Sequence, residues 1–506
     1  MIKSNGGIIG PDNVTTGGAF GTASGVFKLG EVTNLIKESK WPTAGPQGFQ
    51  VANSCRFDSG SDDHLDKTFA QAGNRKTFTV SFWMKTTTKE TYTAIFDAGQ
   101  DGSNSDDIYF HTGRLNFSGY YGSTQFALRT TAKFRDPGAW SHHVIAFDTT
   151  QGTASNRIKI FTNGVQETAF DDSTYPAEDF QTSYMNTARL HNIGTLVNND
   201  DFPLDGYLAE FCFIDGTALD PTSFGEFNSQ TGIWVPKNVS GLTFGTNGFY
   251  LDFKNSSALG NDVSGNNNDF AMRNLTSLDQ STDTCSTNFA TMNPLDLGAT
   301  TGGEFLQGNL DVHMGGTAQG VYYSTIGVSS GKWYVEVNPD SGSGGNSYIG
   351  ISGNANNSRG ANDGLGDLAF DYGYYQSDGS LRNNDSDSSY GSSYSNGNII
   401  GVYLDLDNNK LYFSVNGTVQ NSGTGISISA VTNTPTGNYF FCVGDDNAFA
   451  ERRFNLNFGS PIESISSSNT DDNGFGNFEY SPNITGDGSA KKFYSLNTKN
   501  LTTVLA

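Results

Sequence analysis

The stretch Ile399-Ile-Gly-Val-Tyr-Leu-Asp-Leu-Asp407, followed after two residues by Lys410-Leu-Tyr-Phe-Ser-Val-Asn416-Gly417, decides the fold of this chain. The first run is aliphatic and ends in acidic residues, and the second alternates until it reaches Asn-Gly. Asn-Gly accepts the positive φ angles of a tight hairpin turn, and between alternating runs it is a strong hairpin signal. The sequence therefore predicts antiparallel strands that end in a tight turn.

The same pattern occurs about 250 residues earlier. There, Trp140-Ser-His-His-Val-Ile-Ala-Phe-Asp148 precedes Arg157-Ile-Lys-Ile-Phe-Thr-Asn163-Gly164. A single sandwich rarely needs so much chain between two hairpins. Two β-domains in tandem are therefore predicted.

The composition favours a large all-β protein. At 506 residues the chain is too long for one hydrophobic core and fits two or three domains. It is rich in Gly, Asn, Ser and Thr, only 16% of it is charged, and 13% is aromatic. Many turn residues with many aromatic residues are typical of strands joined by long polar loops.

Charge and cysteine content exclude several classes of protein. The net charge is −23, from 29 basic and 52 acidic residues, which argues against binding to nucleic acid or to an anionic membrane. No apolar stretch is long enough to span a membrane, and the first residues lack the apolar core of a secretory signal. None of the four cysteines forms a C-x-x-C pair, so no zinc site and no disulfide is required.

Turn signals and composition shifts divide the chain into five predicted regions. These are an N-terminal attachment arm (1–48), a first sandwich (49–275), a connector (276–301), a second sandwich (302–460) and a Ser/Asn/Gly-rich tail (461–506). The predicted fold class is all-β, with two tandem antiparallel β-sandwiches. The tail is expected to pack loosely or against a neighbouring subunit.

Several motifs of the first sandwich identify a resemblance. The matching runs are Arg56-Phe-Asp-Ser-Gly-Ser-Asp-Asp-His-Leu65, Phe78-Thr-Val-Ser-Phe-Trp83, Trp140 to Phe147, Ile160-Phe-Thr-Asn-Gly-Val165, Asp205-Gly-Tyr-Leu-Ala-Glu-Phe211 and Asp262-Val-Ser-Gly-Asn-Asn-Asn-Asp269. In this order they resemble the concanavalin A-like, laminin-G-type jelly rolls. The resemblance implies a jelly-roll domain that binds a ligand.

The second sandwich resembles SPRY domains. The residues that carry this resemblance are Gly331-Lys-Trp-Tyr-Val-Glu-Val337, Tyr348-Ile-Gly-Ile351 and the run from Ile399 to Gly417. A laminin-G-like jelly roll followed by a SPRY-like sandwich is also similar to fibre or decoration proteins of tailed bacteriophages, particularly marine ones. In such proteins the short N-terminal arm has the position of a virion-attachment segment.

The sequence lacks the carboxylate motif of a glycosidase. The glucanase branch of the concanavalin A-like fold carries a Glu-x-Asp-x-Glu strand, which supplies nucleophile and acid, and no such run occurs here. Glu210 and Glu336 are single strand acids. His142 and His143 are adjacent on a strand, so they point to opposite faces and do not jointly hold an ion. The protein is therefore predicted not to be an enzyme.

One acidic loop is a candidate calcium site. Asp97, Asp101, Asp106 and Asp107 lie close together with Gly, Ser and Asn, and hard cations take carboxylate and carbonyl oxygens. The alternative is a polar hairpin loop, since Asp, Asn and Gly often fill loops without a ligand. No cofactor is required, and calcium is the one candidate.

Five tyrosines of the second sandwich are candidate ligand-binding residues. They are Tyr372, Tyr374, Tyr375, Tyr390 and Tyr394. Tyrosines among Gly, Ser, Asn and Asp provide flat stacking surfaces with adjustable hydrogen bonds, which suit sugars and protein partners. The alternative is a tyrosine-rich strand that covers the core.

Together with the resemblance, these features predict a non-enzymatic structural virion protein, either a tail fibre or a surface decoration. The arm would bind other virion proteins, and the sandwiches would bind host-surface polysaccharide or neighbouring subunits. The resemblance implies a homotrimer located in the virion and assembled in the host cytoplasm. The alternatives are a polysaccharide depolymerase and a secreted lectin or adhesin that is not viral.

Overall fold

A computed structural model describes most of the chain. The described residues are 8–10, 25–27, 48–87, 92–101, 103–197, 201–229, 231–297, 303–315, 320–342, 347–360, 362–445, 452–484 and 491–504. The predicted attachment arm lies outside them, except for Gly48 and the antiparallel pair β1 (Ile8–Gly10) and β2 (Gly25–Phe27). The chain divides into two compact units, Ala44–Ser286 and Thr287–Ala506, and the pair β1–β2 is grouped with the second.

The first unit is an antiparallel β-sandwich. Its strands are β3 (Ser54–Phe57), β4 (His64–Thr68), β5 (Thr77–Thr86), β6 (Tyr92–Asp101), β7 (Asn104–His111), β8 (Arg114–Tyr121), β9 (Thr124–Thr130), β10 (Trp140–Asp148), β11 (Ile158–Thr162), β12 (Val165–Gln166), β13 (Phe170–Thr174), β14 (Leu190–Ile193), β15 (Gly206–Asp215), β16 (Gly225–Phe227), β17 (Trp234–Pro236), β18 (Phe249–Leu251), β19 (Ala271–Arg273) and β20 (Gln280–Ser281). One sheet has the order β12-β11-β10-β5-β15-β3-β20, with β18 paired to β15. The other has the order β13-β9-β8-β7-β6-β14-β4-β19.

The two sheets of this sandwich differ in how their outer faces are covered. Phe78, Val80, Phe82 and Met84 of β5 point into the core between the sheets, as their alternation predicts. The other face of the first sheet is also covered, because Phe224, Val239 and Phe244 pack on it, and all ten residues of β15 are buried. In β7 and β9, by contrast, buried residues alternate with partly exposed ones. The second sheet therefore keeps one polar face.

The second unit is also a β-sandwich. Its strands are β21 (Glu304–Leu306), β22 (Asp311–Met314), β23 (Val321–Tyr323), β24 (Lys332–Gly342), β25 (Ser347–Ser352), β26 (Asp371–Tyr375), β27 (Ser380–Asn383), β28 (Ser386–Ser389), β29 (Ile400–Asp405), β30 (Lys410–Val415), β31 (Thr418–Val419), β32 (Ile426–Ser427), β33 (Phe440–Asp445), β34 (Arg452–Asn457), β35 (Asn483–Ile484), β36 (Lys491–Lys492) and β37 (Tyr494–Ser495), followed by helix α1 (Thr498–Val504). One sheet has the order β21-β22-β34-β24-β29-β30-β31, with β32 on β30 and β37 parallel to β24. The other has the order β23-β33-β25-β26-β27-β28.

Both Asn-Gly turns form as the sequence predicts. Asn163 and Gly164 have φ angles of 47° and 79°, and Asn416 and Gly417 have 46° and 76°. Each asparagine also ties its turn to the chain at the preceding strand in the same way. The Asn163 N–H donates to the His142 carbonyl at 2.8 Å, and its Oδ1 accepts from the His142 N–H at 2.8 Å. Asn416 makes the equivalent pair of bonds with the backbone of Ile399, at 2.9 and 2.8 Å.

The boundary between the sandwiches differs from the predicted connector. The first part of that region completes the first sandwich, because β20 pairs with β3 and the Asp283 carboxylate lies 2.7 Å from the ammonium of Lys85. From Thr287 onward the chain packs in the second unit, where Phe289 and Met292 make isolated β-bridges. Few long apolar runs occur in this region, so its division between two cores is not visible in the sequence.

The predicted loose tail is instead part of the second sandwich. Phe478, Ile484 and Phe493 are at most 2% exposed and pack against tyrosines of the large sheet. Strand β37 extends that sheet, and helix α1 follows it. The apolar residues of this segment are isolated among Ser, Asn and Gly, so the sequence pattern shows no strand period.

Candidate binding face of the first sandwich

The predicted ligand-binding tyrosines lie mainly inside the second sandwich. Tyr372, Tyr374, Tyr390 and Tyr394 are at most 9% exposed and belong to its core. The Tyr374 ring stacks on the Phe413 ring, with centroids 5.0 Å apart, and the Tyr374 hydroxyl donates to the Ser392 carbonyl. Tyr375 is half-buried and stacks on Tyr348 at 4.6 Å. The structure therefore favours the alternative in which these rings cover the core.

The predicted calcium ligands divide between two faces of one sheet. Asp106 points into the core, where it accepts hydrogen bonds from the Tyr121 hydroxyl and from the N–H groups of Tyr184 and Met185. Burial raises the pKa of Asp106 to about 7. Asp101 accepts hydrogen bonds from its own turn, at 2.9 Å. Among the described residues, no group of three or more His, Cys, Asp or Glu side chains is placed to hold a metal ion.

Asp97 and Asp107 stay together on the polar face. They are directly opposite each other on β6 and β7, and one oxygen of each carboxyl is buried without a hydrogen-bond partner among the described residues. Burial raises the pKa of both carboxyls, and the nearby Asp107 charge raises that of Asp97 further. The Val197 N–H donates to Asp97 Oδ2 at 2.6 Å. That a cation binds to this pair stays a prediction.

A row of oxygen acceptors extends from this pair across four strands. Asp66 is opposite Asn192, and Asn192 is opposite Asp97, which is opposite Asp107. The Oδ1 atoms of Asp66 and Asn192 are buried and have no hydrogen-bond partner among the described residues. The other oxygen of Asp66 pairs with Arg273 at 2.8 Å. A buried acceptor without a donor costs about 1–3 kcal/mol, so this row is suited to a ligand or water that donates hydrogen bonds.

Aromatic rings lie beside the row. The rings of Tyr92 and Tyr109 stack, with their centroids 4.3 Å apart. The centroid of the Tyr92 ring also lies 4.5 Å from that of Phe202 and 6.0 Å from that of His111. Phe202 is 46% exposed although its φ angle is +57°. A bulky side chain rarely adopts this conformation, and such strain is concentrated at functional sites. The ring is thus held at the surface by its backbone.

Arginines complete the face on its other side. In register, Tyr109 is opposite Asn116, and Asn116 is opposite Arg129. Arg114 pairs with Asp171 at 2.6 Å, and Arg129 lies 4.0 Å from the same carboxylate. We call the set of Tyr92, Tyr109, His111, Phe202, Asn116, Arg129, Asp66, Asn192, Asp97 and Asp107 the polar face. It combines flat apolar rings with acceptors and donors.

The two adjacent histidines point to opposite faces, as predicted. His142 stacks on Trp83, its Nδ1 accepts from Trp234 Nε1 at 3.0 Å, and its Nε2 therefore donates to Ser81 Oγ at 2.9 Å. His143 points into the core. Burial lowers the pKa of each to about 3, so both are neutral and hold the fold together.

The glutamates Glu210 and Glu336, which the sequence places on strands, are both buried. Glu210 is 5% exposed and accepts a hydrogen bond from Tyr250, and burial raises its pKa to about 7. Glu336 is 3% exposed and accepts hydrogen bonds from the backbone of the C-terminal segment. Neither lies on the polar face.

Sequence reasoning missed the polar face because its members come from strands far apart in the chain. One signal was available: in β7, Tyr109 and His111 alternate with the core residues Ile108 and Phe110. That alternation places both rings on the outside of the sheet. Their meeting with Asn192 and Phe202 depends on a strand register that the sequence does not reveal.

Comparison with protein families confirms the class of both sandwiches. Residues 59–222 match the laminin-G-type model of the concanavalin A-like lectin/glucanases superfamily. Residues 332–448 match the SPRY domain model. Over these residues the chain thus carries a laminin-G-type, concanavalin A-like domain followed by a SPRY domain.

Solved structures show likenesses at low identity. The SPRY domain of human HERC1 is 16% identical, with a TM-score of 0.27, over 33% of this chain and 96% of that chain. A heptameric SAP-like pentraxin from Limulus polyphemus is 16% identical, with a TM-score of 0.26, over 34% of this chain and 80% of that chain. A candidate carbohydrate-binding protein from Bacteroides ovatus is 14% identical, with a TM-score of 0.31, over 44% of this chain and 59% of that chain.

No protein of curated function matches the sequence. Within the described parts of the chain, no helix has the length and apolar character needed to cross a membrane.

Proposed function

We propose that this protein is a saccharide-binding protein that holds glycan on the polar face of its first sandwich. The observation that carries the proposal is the exposed ring of Phe202, which lies on the Tyr92–Tyr109 stack beside unsatisfied oxygen acceptors. The lectin-containing superfamily that the first sandwich matches supports it.

The chemistry of the polar face fits a sugar. A sugar ring has apolar C–H surfaces, which pack on aromatic rings, and hydroxyl groups at its edge, which donate to acceptors. Rigid aromatic side chains provide contact area at low entropic cost, and a few placed polar groups provide specificity. Asp107 and Asn192 would accept from hydroxyls, and Arg129 would donate to ring or hydroxyl oxygens.

Phe202→Ala is expected to weaken glycan binding about tenfold, because a stacking contact worth roughly 1–1.5 kcal/mol is lost. A glycan array identifies the ligand, and calorimetry on the full chain then measures its affinity. The matched control is Phe227→Ala, since Phe227 is 52% exposed on the hairpin β16–β17, away from the polar face. Equal losses in the two variants would refute the proposal.

A polysaccharide depolymerase is the second candidate. The observation that favours it is the pair of facing carboxyls, Asp97 and Asp107, on the polar face, since glycosidases use two neighbouring carboxyls and burial raises the pKa of both. New reducing ends in host polysaccharide incubated with the protein, absent with Asp97→Asn, would replace the binding proposal by this one.

We further propose that the protein is a structural component of a tailed-phage virion, as a homotrimeric fibre or surface decoration. The order of a laminin-G-like domain and a SPRY domain supports this, because it resembles the architecture of such proteins. Residues 1–48 would attach it to other virion proteins, and the sandwiches would bind host-surface polysaccharide. The alternative is a secreted lectin or adhesin that is not viral.

Deleting residues 1–48 is expected to abolish incorporation into particles, while the protein stays folded and soluble because the described residues that form the two sandwich cores all follow residue 48. Particle-bound protein is measured by mass spectrometry after purification, and circular dichroism checks the fold. Normal incorporation of the truncated protein would contradict the virion role of the arm.

A further inference from the structure

Two exposed aromatic side chains lie at opposite ends of one sheet face in the first sandwich. Among the described residues, the large aromatic side chains that are exposed are Tyr120, Phe202 and Phe227, at 39%, 46% and 52%. Phe202 lies on the stack of Tyr92 and Tyr109. Tyr120 of β8 is opposite Ser105 of β7, four residues along that strand from Tyr109. Tyr120 therefore marks a second aromatic end, which the polar face as defined above does not include.

The alternation of β8 directs the Tyr120 ring to the outer side of the sheet. Phe117 belongs to the core, and Tyr121 also points inward, since its hydroxyl donates to the buried Asp106 carboxylate. Ser118 and Tyr120 alternate with these residues, so both of their side chains lie on the outer side, as that of Asp107 does. Just before Tyr120 the pairing with β9 shifts by a β-bulge. Such bulges re-aim a side chain and are frequent next to functional sites.

Small side chains and oxygen acceptors connect the two aromatic ends. In register, Asp107 is opposite Ser118, and Ser118 is opposite Ala127. Ser118 and Ala127 are half-buried, and neither has a side chain long enough to block the face. The Oδ1 atoms of Asp107 and of Asn192, in the same row, are buried without a hydrogen-bond partner among the described residues. The surface between the aromatic ends is therefore open and carries acceptors along one side.

The separation of the two ends sets the size of the ligand. Tyr109 and Ser105 are four residues apart on β7, which is about 13 Å at the rise of a β-strand. A single sugar ring is shorter than this distance, so one monosaccharide does not reach both ends. A chain of several sugar units that runs along β7 and β8 does reach both, and its hydroxyl groups pass over the acceptors between them.

We propose that the first sandwich binds a linear oligosaccharide that extends from Phe202 to Tyr120, and that Tyr120 is its second stacking residue. Phe202 would pack on one sugar unit and Tyr120 on another. Asp107 and Ser118 would hydrogen-bond the hydroxyls of the units between them. The inference rests on the proposed saccharide function, and it specifies the ligand as a stretch of polysaccharide chain rather than a single terminal sugar.

Calorimetry on the full chain tests this with three series of probes, each from the monosaccharide to the hexasaccharide. The series are β-1,4-linked glucose, α-1,4-linked glucose and β-1,4-linked N-acetylglucosamine. In at least one series we expect the affinity to rise about tenfold between the disaccharide and the tetrasaccharide, because the longer chain gains the second stacking contact. Equal affinity for short and long members of every series that binds, or binding of no probe, would overturn the proposal.

Variants at Tyr120 locate the second contact. Tyr120→Ala should lower the affinity for the tetrasaccharide about tenfold and leave that for the disaccharide unchanged. Tyr120→Phe keeps the ring and should retain the affinity for both. Phe202→Ala should weaken the binding of both lengths. Because Tyr120 is exposed, its replacement is expected to leave the fold intact, and thermal unfolding checks this.

The same variants separate this inference from the proposed function. Tetrasaccharide binding that depends on Phe202 but is unchanged in Tyr120→Ala would refute the second contact and leave the polar face standing. Equal losses in Tyr120→Phe and Tyr120→Ala would also contradict stacking on the ring. If Phe202→Ala changed the binding of no probe, the proposed function would fail together with this inference.

Discussion

Replacing Lys85 with methionine is expected to lower the free energy of unfolding of the first sandwich by about 3–5 kcal/mol. Lys85 and Asp283 are 0% and 1% exposed, and their charged atoms are 2.7 Å apart. The second Asp283 oxygen accepts from Trp140 Nε1 at 3.0 Å. Without Lys85 the carboxylate stays buried with no opposite charge from that side chain, which costs more than the loss of the lysine itself. Urea unfolding followed by tryptophan fluorescence measures the change.

Lys76→Met is the matched control, because it makes the same substitution just before the same strand. Lys76 pairs with Asp179 at 2.9 Å, but the two side chains are 34% and 64% exposed. A surface pair of this kind contributes less than about 1 kcal/mol. If Lys85→Met and Lys76→Met lowered the free energy of unfolding by similar amounts, the buried Lys85–Asp283 pair would be no more important to stability than an exposed pair, and the prediction would be wrong. A large loss for Lys85 alone would also assign Asp283 to the first sandwich, beyond the predicted boundary at residue 275.

The parts of the fold that were predictable are those set by neighbouring residues. An Asn-Gly dipeptide specifies positive φ angles, so both hairpins follow from the sequence. The alternation of β5 likewise determines which side chains enter the core. The hydrogen bonds between Asn163 and His142 and between Asn416 and Ile399 span 21 and 17 residues. They form as a consequence of strand pairing, because pairing brings each asparagine beside its partner.

The candidate site was not predictable because it depends on which strands become neighbours. The tyrosine-rich segment looked like a surface loop, but Tyr372 and Tyr374 share one face of a strand that packs on the core. The acidic loop looked like one cluster, but the two-residue period of β7 sends Asp106 inward and Asp107 outward. Asn192 reaches the same face only because β14 pairs with β6.

The position of the C-terminal segment was not predictable either, since a buried acid of β24 helps to hold it. Glu336 of β24 accepts hydrogen bonds from the N–H groups of Glu479 and Tyr480, at 3.0 and 2.7 Å. It also accepts from Tyr334 and Asn457, at 3.0 Å each. Burial raises the pKa of Glu336, and these four donors oppose that shift. A glutamate in a strand gives no sign in the sequence that it binds a segment more than 140 residues later.

Glu336→Leu is therefore expected to destabilise the second sandwich by about 4 kcal/mol and to release the segment that begins at Glu479. Leucine has a similar volume but no acceptor, so two backbone N–H groups are left buried and unpaired, at about 1–3 kcal/mol each, and the side-chain donors lose a charged partner. Thermal unfolding measures the stability, and limited proteolysis with mass spectrometry detects cleavage after residue 479.

Glu463→Leu is the control, because Glu463 also accepts hydrogen bonds from two asparagines but is exposed. This variant is expected to lower the free energy of unfolding by less than about 1 kcal/mol.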